Sequence, residues 1–202
     1  LECQSLENIS FPKSISVIPD SVLCGCCSLV DLTIPDSVTE IEHCAFTYCN
    51  FKSVVIPDSV IKIGVGAFLE CRSLKSINIP NSVTEISNGT FRDCRSLESI
   101  TIPDSVTKIG FAAFSTCTSL RDIVIPKGVK SIKACAFYNC TSLTTVVLPV
   151  GVAKIGKHAF TDCPALSTIS VPAGKADYYK KRLPQNLHQY IVEREPEKKA
   201  KK

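Results

Sequence analysis

The dominant feature of this sequence is a proline that returns about every 23 residues. The steps between successive members are 23, 22 and then 23 five times, in the series Pro12, Pro35, Pro57, Pro80, Pro103, Pro126, Pro149 and Pro172. One unit reads PDSVTKIGFAAFSTCTSLRDIVI, from Pro103 to Ile125. A repeat this short cannot bury its own apolar residues and must stack on copies of itself. The period therefore predicts a solenoid.

Apolar residues recur at fixed positions after each proline. In the unit that begins at Pro103 these positions hold Val106, Ile109, Phe114, Cys117 and Leu120. The neighbouring units place the same residue types at the same offsets. If one coil lies about 4.8 Å from the next, like residues meet in continuous buried columns. We therefore expect an interior that runs the length of the array.

Each part of the unit predicts a local conformation. The alternation at the end of the unit, as in Ser99–Ile102, predicts a strand with one buried face. The following proline has no N–H to offer a ladder and ends that strand, while the Asp-Ser after it is expected to bond to the local backbone and hold a turn. Val106–Ile109 predicts a second extended segment. The Ala-Phe-x-x-Cys motif at Ala113–Cys117 predicts one short helical turn.

The pattern Leu-x-x-Ile-x-Ile-Pro, Val-x-x-Ile-Gly and Ala-Phe-x-x-Cys resembles the BspA-type (treponemal-class) leucine-rich repeats over residues 1–172. The segment VPAGKADYYKKRLPQNLHQYIVE is similar to the closing segment of such proteins from gut Bacteroidetes. The resemblance implies an α/β repeat fold, namely a right-handed leucine-rich-repeat β-solenoid with a main parallel sheet, short extended segments and short helical turns. It also implies export to the cell surface and a role in adhesion.

The repeats divide the chain into three parts. Residues 1–172 form the array, with a partial first repeat and then seven units, and we expect a C-terminal cap over residues 173–192. Tyr178, Tyr179 and Leu183 are the expected cover of the last coil, which would otherwise expose apolar core. Residues 193–202 read as a charged flexible tail. Because Leu1 falls inside a repeat, the sequence suggests a processed chain or a piece of a longer one.

Charge and hydropathy exclude several classes of protein. Residues 1–172 carry 14 Lys/Arg against 15 Asp/Glu, whereas residues 173–202 carry 9 against 4. The array therefore has no overall basic field, and nucleic-acid binding is not expected. An apolar run of 18 residues is also missing, so the sequence predicts no membrane span. We expect a monomer without a cofactor.

Twelve cysteines stand in the chain, and eight share one inward position of the repeat. Free Cys packs as a small apolar residue, and parallel side chains on stacked coils do not favour the disulfide torsion. We therefore predict free buried thiols. The other four are Cys24, Cys27, Cys44 and Cys135. Because Cys24-Gly25-Cys26-Cys27 contains a C-x-x-C motif, a local disulfide or a metal site is the alternative there.

Catalytic constellations are missing from the sequence. His43, His158 and His188 fall at unrelated offsets, and the Asp-Ser pairs recur in several repeats, as a unique active site would not. No phosphate-binding loop or nucleophile elbow is present. We therefore expect a protein that is not an enzyme; a hydrolase or a metal-binding protein is the distant alternative.

The exposed strand positions are the expected binding face, which we place on the concave side of the solenoid. The sequence predicts a cell-surface or secreted module for adhesion or protein binding, with a protein or glycan ligand such as a host matrix protein. The alternative is a structural spacer in a larger surface protein. The candidate binding residues are small, and only one is charged: Ser76, Asn78, Ser99, Thr101, Asp122, Val124, Thr145 and Val147.

Overall fold

The alternating segment before each proline forms a short strand, and the strands of successive coils pair in parallel. The computed structural model describes residues 3–195. Ladder pairing of this main sheet is interrupted twice, and at the second interruption an isolated bridge pairs Asn78 with Thr101 of the next coil. Its strands are β1 (Asn8–Ser10), β3 (Asp31–Thr33), β5 (Ser53–Val54), β7 (Ser76–Ile77), β10 (Asp122–Val124), β12 (Thr145–Val147), β14 (Thr168–Pro172) and β15 (Ile191–Arg194).

The second extended segment of each unit forms a second parallel sheet side, whose ladder pairing is interrupted once, between Ile63 and Ile86. Its two-residue strands pair in exact repeat register, so Ile86, Ile109, Ile132 and Ile155 lie side by side. The strands are β2 (Val17–Ile18), β4 (Glu40–Ile41), β6 (Lys62–Ile63), β8 (Glu85–Ile86), β9 (Lys108–Ile109), β11 (Ser131–Ile132) and β13 (Lys154–Ile155). The predicted solenoid with its 23-residue period is confirmed.

The turn after each proline links coils in a way the sequence did not predict. Within the turn, the N–H of Val106 donates to the carbonyl of Pro103 at 3.1 Å. The Ser105 hydroxyl, which was expected to bond locally, instead donates to Val83 O in the preceding coil at 2.7 Å. Ser37, Ser59 and Ser82 make the equivalent bond. Stacking brings the preceding coil's carbonyl within reach, so this serine ties two coils together.

The third side of each coil is a run of tight turns where the sequence predicted a short helical turn. Alternate N–H groups donate forward to the next coil, as Phe114 does to Ala136 O, while those between donate three residues back, as Cys117 does to Phe114 O. Two positions per coil take left-handed φ angles, 51° at Ala112 and 61° at Thr116. These angles prevent a continuous α-helix and release half of the donors for bonds between coils.

The columns predicted from the sequence form one buried interior. The Phe column stacks ring on ring, with centroids 5.2 Å apart between Phe114 and Phe137 and planes only 7° apart. In the short second repeat, Phe51 occupies the position that Leu holds elsewhere and packs edge-on to Phe46 and Phe68. Glycine is required where coils approach closely, because a Cβ on Gly110 would lie 2.6 Å from the carbonyl carbon of Ser87.

The C-terminal segment covers the last coil. It contains helix α1 (Ala176–Lys180), a 3₁₀ helix over Gln185–Tyr190 and then β15. Tyr179 is fully buried, and its hydroxyl donates to Pro149 O. The Tyr178 hydroxyl donates to Val152 O at 3.0 Å. The apolar end of the array is therefore closed by side chains that also satisfy free carbonyls.

Candidate binding face and cysteine ladder

The candidate binding residues lie on the outer face of the main sheet, in two neighbouring rows. Strand register pairs Asp122 with Thr145 and Val124 with Val147. Ser76 stands beside Ser53 in the same way, and Asn78 lies opposite Thr101. The structure thus places the predicted residues in a strip on one face of adjacent coils, in register within each set of paired strands, and the pairing is interrupted between Thr101 and Asp122.

Solvent exposure differs between the candidate residues of this strip. Ser76, Asn78, Ser99, Thr101 and Asp122 are exposed, and Val124 keeps 60% of its surface accessible. By contrast, Thr145 and Val147 are half-buried. The strip is therefore most open to a partner in its central coils.

Asn78 is exposed but already has a structural role. Its Nδ2 donates to Ile56 O, and its Oδ1 accepts from Ile56 N, both at 2.8 Å. This side chain replaces the backbone ladder between two coils, where regular pairing ends after Ile77. Its amide is consequently committed within the fold and is less available to a ligand than the neighbouring hydroxyls.

The C-terminal segment extends the main sheet by one strand, which sequence reasoning missed. β15 pairs in parallel with β14 and sets Val192 beside Ser170, in the row that also holds Val124. The sequence placed Glu193 and Arg194 in the flexible tail, yet Glu193 accepts from Ala176 N at 2.8 Å and Arg194 donates to Leu148 O at 2.8 Å. The β-branched pair Ile191-Val192 was the available signal for a strand.

The eight inward cysteines, the cysteine ladder, consist of Cys3, Cys26, Cys49, Cys71, Cys94, Cys117, Cys140 and Cys163. All twelve cysteines carry free thiols. Cys3 is exposed and Cys163 half-buried, whereas the other six ladder members are buried. The Cys117 thiol donates to Phe91 O of the preceding coil at 3.2 Å, and Cys94 and Cys140 repeat this contact at 3.1 Å. The thiol is thus both a filler of the interior and a link between coils.

Burial changes the acidity of the ladder. It raises the pKa of Cys117 well above its usual value, and the neighbouring Cys94 thiol raises it further. Burial likewise raises the pKa of Cys49 to about 12 and that of Cys163 to about 11. Nucleophiles and metal ligands use the thiolate, which a raised pKa disfavours. These residues are therefore suited to a structural role.

Within residues 3–195, no group of three or more His, Cys, Asp or Glu side chains is arranged to hold a metal ion. The Cys44 thiol contacts His43 Nε2 at 3.4 Å, but His43 Nδ1 is held by Val65 O at 2.7 Å. The α-helix and the 3₁₀ helix in the described part of the chain are both too short to cross a bilayer.

Comparison with known proteins gives the same repeat class. The family model for the BspA type leucine rich repeat region matches residues 1–121 and 109–186, with 6 copies. A leucine-rich repeat protein from T. pallidum is similar at 34% identity and a TM-score of 0.63, covering 87% of this chain and 81% of that one. One from Bacteroides ovatus is similar at 29% identity and a TM-score of 0.66, covering 84% of this chain and 50% of that one.

A third relative is described as a leucine rich cell surface protein of Faecalibacterium prausnitzii. It shares 26% identity with a TM-score of 0.50, over 91% of this chain and 64% of that one. Among curated proteins there is no match. The chain thus spans half to about two thirds of the length of the Bacteroides and Faecalibacterium structures. With the family model matching most of its length, the chain belongs to the BspA-type leucine-rich repeat proteins.

Proposed function

We propose that this chain is a non-catalytic binding module of a secreted or cell-surface protein, and that the main-sheet face holds a protein or glycan partner. The observation that carries the proposal is the strip of outward side chains that paired strands hold in register, as Asp122 and Val124 are held beside Thr145 and Val147. Solenoids present extended surfaces of this kind to their ligands.

The chemistry of the strip predicts that a single copy of this chain binds its partner weakly. Its hydroxyls can donate and accept hydrogen bonds, and Val124 and Val147 supply a small apolar patch. Trp, Tyr and Arg, the residues that anchor tight interfaces, do not occur among the candidate residues. Useful affinity would therefore come from several contacts made together along a longer array. The half-length coverage of the Bacteroides ovatus relative agrees with such an arrangement.

The cell-surface part of the proposal is supported by the Faecalibacterium relative, which is described as a cell surface protein. A host matrix protein is then the class of partner that such a module would meet. The turn residues, by contrast, are used within the fold, since Ser105 and its equivalents bind the preceding coil. This leaves the exposed strand residues as the best available contact surface.

The test is binding of the whole chain to immobilised matrix proteins (collagen, laminin and fibronectin) and to neutral glycans, measured by biolayer interferometry with a multivalent display. Ser99→Lys with Thr101→Lys should reduce any binding at least tenfold, because two bulky charges would stand in the centre of the strip. The matched control is Thr84→Lys with Thr107→Lys, on exposed positions of the second sheet side.

Lys130 occupies the position that corresponds to Thr84 and Thr107, so a lysine side chain is accommodated at this position of the coil. Equal losses in both variants would contradict the main-sheet assignment. Binding that neither variant changes would also contradict it. Failure to bind any matrix protein or neutral glycan in multivalent form would overturn the proposed function itself.

A further inference from the structure

The positive charge of this chain is concentrated at one end of the array. Residues 126–182 carry nine Lys/Arg and two Asp/Glu, whereas residues 1–125 carry nine and fourteen. Two of these cations have acidic partners: Lys180 pairs with Asp177 at 3.4 Å, and Lys127 pairs with Asp104 of the preceding coil at 2.9 Å. Most of the basic charge of this stretch is therefore not neutralised by an ion pair within the described residues.

An interruption in the charge pattern of the second sheet accounts for the position of this basic cluster. The outward row of that sheet alternates in sign, and Glu40 pairs with Lys62 and Glu85 with Lys108 on adjacent coils. The alternation predicts a third acid on the coil after Lys108, but this position holds Ser131, which lies next to Lys154. Lys154 therefore lacks the glutamate that its counterparts have.

A groove of about 520 Å³ lies around this position, between strands β11 and β13 and the C-terminal cap. Its lining includes the small residues Ala134, Ala153 and Gly156. The same lining contributes five cations and no acid: Lys133, Lys154, Lys157, Lys181 and Arg182. Among the described residues, no acidic side chain forms an ion pair with any of these five.

One further observation indicates that the groove is suited to an anion. Arg182 is held in place, because its Nε donates to Ala153 O at 3.2 Å and its guanidinium lies 3.4 Å above the centre of the Tyr178 ring. A fixed cation loses little entropy when an anion binds.

We propose that this basic groove binds a sulfated polysaccharide, with Lys133, Lys154 and Lys157 contacting successive sulfate groups. Lys154 and Lys157 lie in one coil and Lys133 in the coil before it, so the three lysines form a compact cluster of charges that neighbouring sulfate groups of one polymer chain can contact together. Aromatic platforms for stacking the bases of single-stranded nucleic acid are missing from the groove lining. Recessed small residues between basic side chains also suit a polymer strand better than a flat bilayer. The site is separate from the main-sheet face and does not depend on it.

The experiment is binding of the whole chain to heparin, as a probe, by isothermal titration calorimetry over a range of NaCl concentrations. Lys133→Gln, Lys154→Gln and Lys157→Gln together should weaken heparin binding at least tenfold. They should also lower the slope of log Kd against log salt by about 2, as expected for three lost contacts to a flexible polyanion. The matched control removes three charges elsewhere, with Lys198→Gln, Lys199→Gln and Lys201→Gln, and should change the affinity less than threefold.

Ser131→Glu supplies a second variant that does not threaten the fold. It restores the Glu–Lys alternation of the row and gives Lys154 a partner, so it should reduce heparin affinity at least threefold without lowering the midpoint of urea unfolding. Equal losses in the groove and control triple variants would overturn the proposal. So would tighter binding to phosphatidylserine vesicles or to a thymidine 20-mer than to heparin, since those results would indicate a lipid or a nucleic acid.

Discussion

The stacked Phe column allows a quantitative test of how the coils stabilise one another. Phe114 is fully buried, and its ring stacks on Phe91 at 5.4 Å and on Phe137 at 5.2 Å. Truncating a buried Phe to Ala costs about 3–5 kcal/mol, and each aromatic pair contributes about 0.5–1.5 kcal/mol beyond its buried area. Phe114→Ala removes two such pairs, so we expect a loss near 5 kcal/mol in the free energy of unfolding.

Phe160 is the matched comparison, since it is also buried but stacks on Phe137 alone, at 5.3 Å. Phe160→Ala should therefore cost about 1 kcal/mol less than Phe114→Ala. Phe114→Leu keeps most of the volume and should cost about 1–2 kcal/mol. Each value comes from urea unfolding followed by circular dichroism, as the shift in midpoint multiplied by the slope m. A loss below 2 kcal/mol for Phe114→Ala, or a larger loss for Phe160→Ala, would refute the reasoning.

Two further substitutions test separate features of the coil. Burial raises the pKa of Cys117 in the folded protein, so above about pH 9 the unfolded chain loses this proton while the folded protein keeps it. The contribution of the buried thiol to the free energy of unfolding is therefore complete below about pH 9 and falls as the pH rises toward the folded pKa. Cys117→Ala should reduce this alkaline loss of unfolding free energy by about 1.4 kcal/mol per pH unit, measured by urea unfolding from pH 8 to 11. An unchanged slope of the unfolding free energy against pH would contradict the burial of this thiol. Thr116 has a φ of 61°, where a β-branched residue is strained, and Asn139 takes this position one coil later at 56°. Thr116→Asn should stabilise the protein by about 1 kcal/mol in the same assay, whereas destabilisation would place the strain elsewhere.

Much of the fold follows from the sequence because every column has a separate physical reason. Val106, Ile109 and Phe114 recur at fixed offsets, and only stacking buries all of them at once. The predicted parallel solenoid is confirmed for that reason. The predicted free thiols also agree with the structure, since side chains on stacked coils point the same way.

Other features depend on distances between coils, which a repeat pattern does not contain. Ser105 was expected to hold its own turn, but the carbonyl of Val83 lies within reach from the coil before. The left-handed φ angles at Ala112 and Thr116 had no glycine to indicate them. For the same reason, the spacing of residues in the sequence did not predict the hydrogen bonds of the Asn78 amide to Ile56 or those that fix Arg182.

The binding surfaces could be predicted only in part. Alternation within Asp122–Val124 identifies the outward side chains, and the structure places them in register. The basic groove combines residues from two coils and the cap. The break in the charge pattern at Ser131 becomes evident only when the strand register places this residue between Lys108 and Lys154. Overall counts of charge hide such a groove, because acids at the other end of the array cancel it.

The central claim is that side chains of one type, repeated once per coil, form a continuous protected interior. Thiol labelling with iodoacetamide at neutral pH, followed by site-resolved mass spectrometry, tests it directly. In denaturant without reductant, all twelve cysteines should react. In the native protein, six should stay protected on the timescale that labels the exposed Cys27, namely Cys26, Cys49, Cys71, Cys94, Cys117 and Cys140. Rapid labelling of Cys94 or Cys117 in the native state would contradict the stacked interior, and fewer than twelve reactive thiols after denaturation would contradict the free cysteine ladder.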